Sequence, residues 1–131
     1  MPFGETTSEE IERVATEIVD AAFKVHKALG PGLLESCYKM LMIYELRKRG
    51  LQVEVELPVP ITYDGKIFET GYRLDLLVED LVIVEMKSVA EMIPLFKAQI
   101  LTHLKLMNKR LGFLINFNVE MIKDGIKRVI H

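Results

Sequence analysis

Tyr72-Arg73-Leu74-Asp75-Leu76-Leu77-Val78-Glu79-Asp80-Leu81-Val82-Ile83-Val84-Glu85-Met86-Lys87 is two apolar runs joined at a short acidic pair. Tyr72 to Val78 reads as one strand and Leu81-Val82-Ile83-Val84 as the next, with a tight turn at Glu79-Asp80. The second run is apolar on both faces, as in a central strand covered on both sides. With a three-residue turn centred on Asp80, Val78 faces Val82, Asp75 faces Glu85, and Lys87 lies opposite Arg73. Side chains of a strand alternate sides, so Glu85 and Lys87 project together while Met86 points away. With a two-residue turn Asp75 would instead face Val84.

Opposed carboxylates in a sheet repel, and burying them uncompensated is costly. A hard divalent cation such as Mg²⁺ relieves both, because it takes a few carboxylates together with water and substrate oxygens. Lys87 beside the pair is then suited to steady or deprotonate a water bound there, and to meet negative charge on a phosphate. The competing reading of Asp75, Glu85 and Lys87 is a salt-bridged surface patch, since Glu-x-Lys is a common tripeptide.

Upstream, Thr7 with Glu10 three residues later reads as the capping box of a helix whose apolar stripe is Ile11, Val14, Ala15, Ile18, Ala22, Val25 and Leu29. Gly30-Pro31-Gly32 ends it. A second helix is expected from about Leu33 to Arg49, with Leu34, Cys37, Leu41 and Tyr44 among its apolar positions. Gln52 to Leu57 alternates, with Val53, Val55 and Leu57 on one side, and Pro58 and Pro60 mark an edge or a bend. Asp64-Gly65 is a hairpin turn between Ile61-Thr62-Tyr63 and Lys66-Ile67-Phe68. Downstream, Pro94 opens a third helix to about Asn108, the strand Gly112 to Phe117 follows, and Ile126 to Ile130 is the last strand. The order is helix, helix, three or four antiparallel strands, helix, strand, strand. An α/β domain with a mixed sheet flanked by helices is expected, as a single unit over residues 1–131.

The chain has 131 residues, half of them hydrophobic and 27% charged, with one cysteine and no tryptophan. Leu, Ile, Val and Met must therefore fill the core. Cys37 reads as a buried small hydrophobe in a reduced compartment. Met1 to Glu5 lacks the basic-then-apolar pattern of a signal peptide, and no apolar run approaches bilayer length, so a cytoplasmic location is expected. A net charge of −2 argues mildly against a broad electrostatic grip on nucleic acid. Arg47-Lys48-Arg49 and Lys109-Arg110 are the runs able to contribute to such a grip, although basic residues also suit helix ends. His26 has no second ligand at metal spacing.

Three motifs together resemble a known family. Asp75, followed by Glu85-Met86-Lys87 at the end of an apolar strand, is similar to the D…(E)xK core of the PD-(D/E)xK nuclease superfamily. Gly32-Leu33-Leu34-Glu35-Ser36-Cys37-Tyr38 resembles the signature of its GxxExxY subgroup. The third helix carries Ala98-Gln99, where many relatives have Gln followed four residues later by Tyr; here that position is His103. The residue before Asp75 is Leu74 rather than the Pro of the superfamily name. The resemblance runs from about residue 10 to 130 and includes Leu114 to Phe117 and Asp124 to Val129.

This resemblance implies a Mg²⁺- or Mn²⁺-dependent nuclease acting on DNA or RNA. Asp75 and Glu85 would bind the metal, and Lys87 would act on the nucleophilic water. Glu35 would reach the site as a ligand through water or as an orienter. Tyr38 would hydrogen-bond a carboxylate or the substrate backbone. Gln99 would point toward Glu85 or Lys87, and His103 would be a phosphate contact or supporting donor. Small nucleases of this kind often need a homodimer to cut both strands. A catalytically retired module that binds nucleic acid or protein, and a phosphohydrolase of small nucleotides, are the rival readings.

Overall fold

The structure is a computed structural model and describes residues 7–131, so the leader reading of Met1 to Glu5 lies outside it. Three helices and seven strands follow the expected order: α1 (Glu9–Leu29), α2 (Glu35–Lys48), β1 (Val53–Pro58), β2 (Ile61–Tyr63), β3 (Lys66–Phe68), β4 (Arg73–Val78), β5 (Val82–Lys87), α3 (Pro94–Met107), β6 (Leu111–Asn116) and β7 (Ile126–Ile130). Five strands precede α3; three of them, β1, β4 and β5, form the antiparallel part of the main sheet, and β2 and β3 pair only with each other. The main sheet has the order β1-β4-β5-β6-β7. All its pairings are antiparallel except β5 with β6, which α3 connects as a parallel crossover.

α1 is capped by Ser8 rather than Thr7. Ser8 has extended backbone and its hydroxyl accepts from the Ile11 N–H at 3.2 Å, while the Thr7 hydroxyl pairs with Glu12. Gly30, at φ 68°, ends the helix and donates to the His26 carbonyl at 2.7 Å. α2 turns a different face inward from the one its apolar residues suggest. Tyr38, Met42, Glu45 and Leu46 are buried, Leu34 and Tyr44 lie in solvent, and Cys37 is only half-buried. Glu45 tolerates its position because Arg49 donates to it at 2.9 Å and also reaches Glu17 at 3.0 Å. That pairing holds the Glu45 carboxyl below its ordinary pKa.

β5 lies at the centre of the sheet, and its apolar run is covered on both sides. Val82, Val84 and Met86 pack with α1 and α2, whereas Ile83 packs with Ile100 and Leu104 of α3. Burying each of those two α3 side chains stabilises the layer by roughly 1.5–3 kcal/mol. Gly112 lets the helix come close: a Cβ there would lie 2.9 Å from Ile100 Cδ1.

Leu57 departs from the expected alternation. Val53 and Val55 face the α1–α2 core, but Leu57 and its partner Leu74 pack into the α3 core. An ordinary strand keeps residues i and i+2 on one face. Glu56, a non-glycine residue at φ 51°, turns the backbone between them.

β6 is buried along its whole length, including the polar Asn116. The Asn116 side-chain oxygen accepts from the Val89 N–H at 3.1 Å, and its amide donates to the Val89 carbonyl at 3.0 Å. This pair pins the segment that leaves β5 immediately after Lys87. Gly125 closes the other side, where a Cβ would lie 2.1 Å from the Asn116 carbonyl oxygen. Replacing Asn116 by Val is expected to strand the backbone N–H groups of Val89 and Asn118, which both donate to its side-chain oxygen, and to lower unfolding stability by roughly 1–3 kcal/mol, read from chemical denaturation. An unchanged denaturation midpoint would contradict this role.

Candidate active site where two strands part

The β4–β5 ladder runs Val78↔Val82, Leu77↔Ile83, Leu76↔Val84 and then stops. The three-residue turn is the one the sequence reading assumed. Glu79 and Asp80 both take left-handed backbone, at φ 54° and 57°, and the Val78 carbonyl accepts from the Leu81 N–H at 3.0 Å. At the next register step, Asp75 and Glu85 replace the main-chain ladder with side chains. Glu85 Oε2 accepts from the Asp75 N–H at 3.1 Å, and Asp75 Oδ2 accepts from the Met86 N–H at 2.8 Å. Each carboxylate therefore has one oxygen committed to the opposite backbone. Asp75 Oδ1 and Glu85 Oε1 accept no hydrogen bond among the described residues.

Burial pushes the Glu85 pKa up to about 8, and the negative charge of Asp75 adds to the shift. Asp75 is raised too, again mainly by burial, although the Met86 N–H opposes it.

The neighbouring charges come from β5 itself, from α2 and from β1. Lys87 shares the strand face of Glu85, and its ammonium lies 4.3 Å from the ring centroid of Phe96 in α3. It makes no salt bridge among the described residues, so its donors remain free. Glu35 opens α2 at the rim of the site. Partial removal from water raises its pKa, with the charge of Asp75 adding and that of Lys87 opposing. Lys39, one helical turn beyond Glu35, was not singled out from sequence. Its ammonium lies between Asp75 Oδ1 at 3.9 Å and Glu56 Oε1 at 3.6 Å. The i,i+4 spacing from Glu35 was the available signal. Asn116 was likewise legible only as a lone polar residue in an apolar strand.

Two expected contacts are not formed as expected. Tyr38 is fully buried, donates to the Gly30 carbonyl at 2.5 Å and accepts from the Leu33 N–H at 3.1 Å. Its ring stacks on Phe117 with centroids 4.5 Å apart. The hydroxyl is thus committed to the turn that leads into Glu35 and hydrogen-bonds neither carboxylate. Gln99 is exposed and hydrogen-bonds to nothing among the described residues, so it does not hold Glu85 or Lys87.

His103 is the α3 residue that meets the site. It is only 8% exposed, and its Nδ1 lies 3.9 Å from Glu85 Oε1, buried and without a hydrogen-bond partner. Burial holds its pKa below the ordinary imidazole value. Three residues of the basic runs make contacts within the fold. Arg47 donates to the Val53 carbonyl, Arg49 binds Glu45, and Lys109 binds Asp80. His26 hydrogen-bonds the Val119 carbonyl oxygen at 2.7 Å.

Two adjacent carboxylates with raised pKa values and one free oxygen apiece fit a hard cation of the Mg²⁺ type, which coordinates through one or two carboxylates and keeps several waters. Among the described residues no group of three or more Asp, Glu, His or Cys is close enough to hold a metal. Glu35 is therefore not drawn in as a third direct ligand, and Asp75 and Glu85 would be the pair that holds the ion.

Without a cation, a raised carboxylate pKa favours the folded state while the group is protonated. That advantage declines as pH rises from the unfolded value of 4.5 toward the folded value of about 8. Glu85→Gln is therefore expected to leave Tm nearly unchanged at about pH 5 and to raise it by several degrees at about pH 9, in EDTA. Equal shifts at both pH values would show that Glu85 carries no such penalty.

A family model described as the PD-(D/E)XK nuclease superfamily matches residues 12–129. No match is found among curated proteins. One similar solved structure, titled "Crystal structure of SSO0001", is 21% identical with a TM-score of 0.50, covering 91% of this chain. The chain spans 60% of the length of that solved chain, and at this identity the likeness concerns the fold alone.

Proposed function

The chain belongs to the PD-(D/E)XK nuclease superfamily, and on that premise we propose that it hydrolyses phosphodiester bonds of nucleic acid with a divalent cation, Mg²⁺ or Mn²⁺. The observation that carries this reading is the half-committed carboxylate pair, Asp75 and Glu85, beside an ammonium that neither has neutralised. A cation bound there would lower the pKa of water and offset phosphate charge. Asp75 and Glu85 would hold it, the oxygens bonded to backbone keeping both groups rigid. Lys87 binds the attacking water and donates to a phosphate oxygen as negative charge grows on it. Glu35 accepts a hydrogen bond from that water and orients it. The water oxygen forms the new bond to phosphorus as the water gives up a proton to solvent, the opposite P–O ester bond breaks, and the leaving oxygen takes a proton from solvent. Gly32, Glu35 and Tyr38 support placement in the GxxExxY subgroup, with Tyr38 acting through the turn it braces.

Cleavage of single- and double-stranded DNA and RNA, each with Mg²⁺, Mn²⁺ or EDTA, tests the reading. Metal-dependent cutting of at least one substrate is expected, and Lys87→Ala is expected to slow it by at least about a hundredfold. In calorimetric titration Mn²⁺ is expected to bind the wild type and not Asp75→Ala. A wild type that cuts none of the four substrates, or that takes up no cation, would end the proposal.

A further inference from the structure

A second feature adjoins the reaction centre. A groove of about 320 Å³ runs between α3 and the approach to β4, lined chiefly by Ile61, Tyr72, Leu95, Gln99, Thr102 and His103. We propose that this groove takes one unstacked nucleobase of the substrate strand, so that the preferred substrate is single-stranded or locally opened nucleic acid. The inference rests on the nuclease reading and names the substrate class for that site.

Continuity comes first. His103 lines the groove, and the same imidazole brings Nδ1 to 3.9 Å from Glu85 Oε1. One imidazole and a 3.9 Å gap thus separate the groove from Glu85 Oε1, so a nucleotide seated with its phosphate at the carboxylates has its base or a neighbour's near the groove.

The chemistry of the walls divides in the same way. Lys39 and Lys87 stand beside the carboxylates, where phosphate would lie. The groove itself presents apolar side chains, a tyrosine ring, a primary amide and a hydroxyl, with no acid, lysine or arginine. Such walls suit a flat uncharged heterocycle and not a phosphate.

Tyr72 supplies the stacking surface. It is 58% exposed, tilted at 51° to His103 with ring centroids 6.2 Å apart, and its N–H is fixed to the Thr70 hydroxyl at 3.0 Å. Gln99 adds an unbonded amide able to donate to and accept from a base edge. Thr102 is occupied, since its hydroxyl donates to the Ala98 carbonyl at 3.0 Å. A base inside a duplex has both faces stacked and its edge paired, so it must leave the helix to use this surface. The net charge of −2 agrees, because aromatic stacking holds single strands with fewer phosphate contacts than a duplex grip needs.

The test is binding of a short oligonucleotide carrying one fluorescent purine analogue, measured with Ca²⁺ on the full chain, as a single strand and as its duplex. The wild type is expected to bind the single strand more tightly and to quench the analogue. Tyr72→Ala is expected to weaken that binding about tenfold and to remove the quenching, whereas Tyr72→Phe retains both. Ala98→Trp, which fills the groove from α3, is expected to behave like Tyr72→Ala. Tyr44→Ala, at an exposed position on α2, is expected to match the wild type. A preference for duplex, or unaltered single-strand binding in both Tyr72→Ala and Ala98→Trp, overturns the groove. Cleavage by the wild type together with such unaltered binding overturns the groove alone. Loss of binding in both variants, without any cleavage by the wild type, supports the groove and removes the nuclease reading.

Discussion

Everything near the site depends on the exchange between Asp75 and Glu85. Each carboxylate takes the backbone N–H that a regular antiparallel ladder would have given to a carbonyl. The two strands part without leaving those N–H groups unsatisfied, and both side chains are fixed without the help of a ligand. An unsatisfied buried amide costs about 1–3 kcal/mol, so the exchange lets a sheet open at its centre at little cost. Preorganisation follows, because the oxygens left over have one orientation.

The exchange leaves the local charge balance incomplete. Two acids stand together in a partly buried place, and the cations around them are held at a distance. Lys39 lies 3.9 Å from Asp75 and is shared with Glu56, Lys87 rests on Phe96, and burial disfavours the charged form of His103. A lysine in direct contact with both carboxylates would stabilise the folded chain more and leave less room for an external cation. The polypeptide thus holds its own positive charges close enough to assist and too far away to neutralise.

Much of this was legible in the residues. The turn at Glu79-Asp80 and the alternation around it left two registers of β4 on β5 open, and the three-residue turn that forms is the one that brings Asp75 to Glu85. Asp64-Gly65 gave the small hairpin, and Pro94 the start of α3. Rotation about a helix axis was harder to read. α2 carries apolar residues on every side, so periodicity could not choose between the face with Leu34 and Tyr44 and the one with Tyr38, Met42 and Leu46. On α3, Gln99 and His103 are one turn apart, but Ile100 and Leu104 anchor the helix in the core and turn His103 inward and Gln99 outward. The exchange of faces at Leu57 needed a left-handed glutamate in mid-strand, which no propensity for Glu forecasts.

That left-handed glutamate has a further effect at the margin of the sheet. β1 is an outer strand, and an outer strand with a straight run of free amides invites another chain to extend it. Here the run is bent at Glu56 and lacks a donor at Pro58, and Glu54 and Glu56 present negative charge to solvent. A stray polypeptide finds no even rail to zip onto along this margin, so the sheet resists being lengthened from β1.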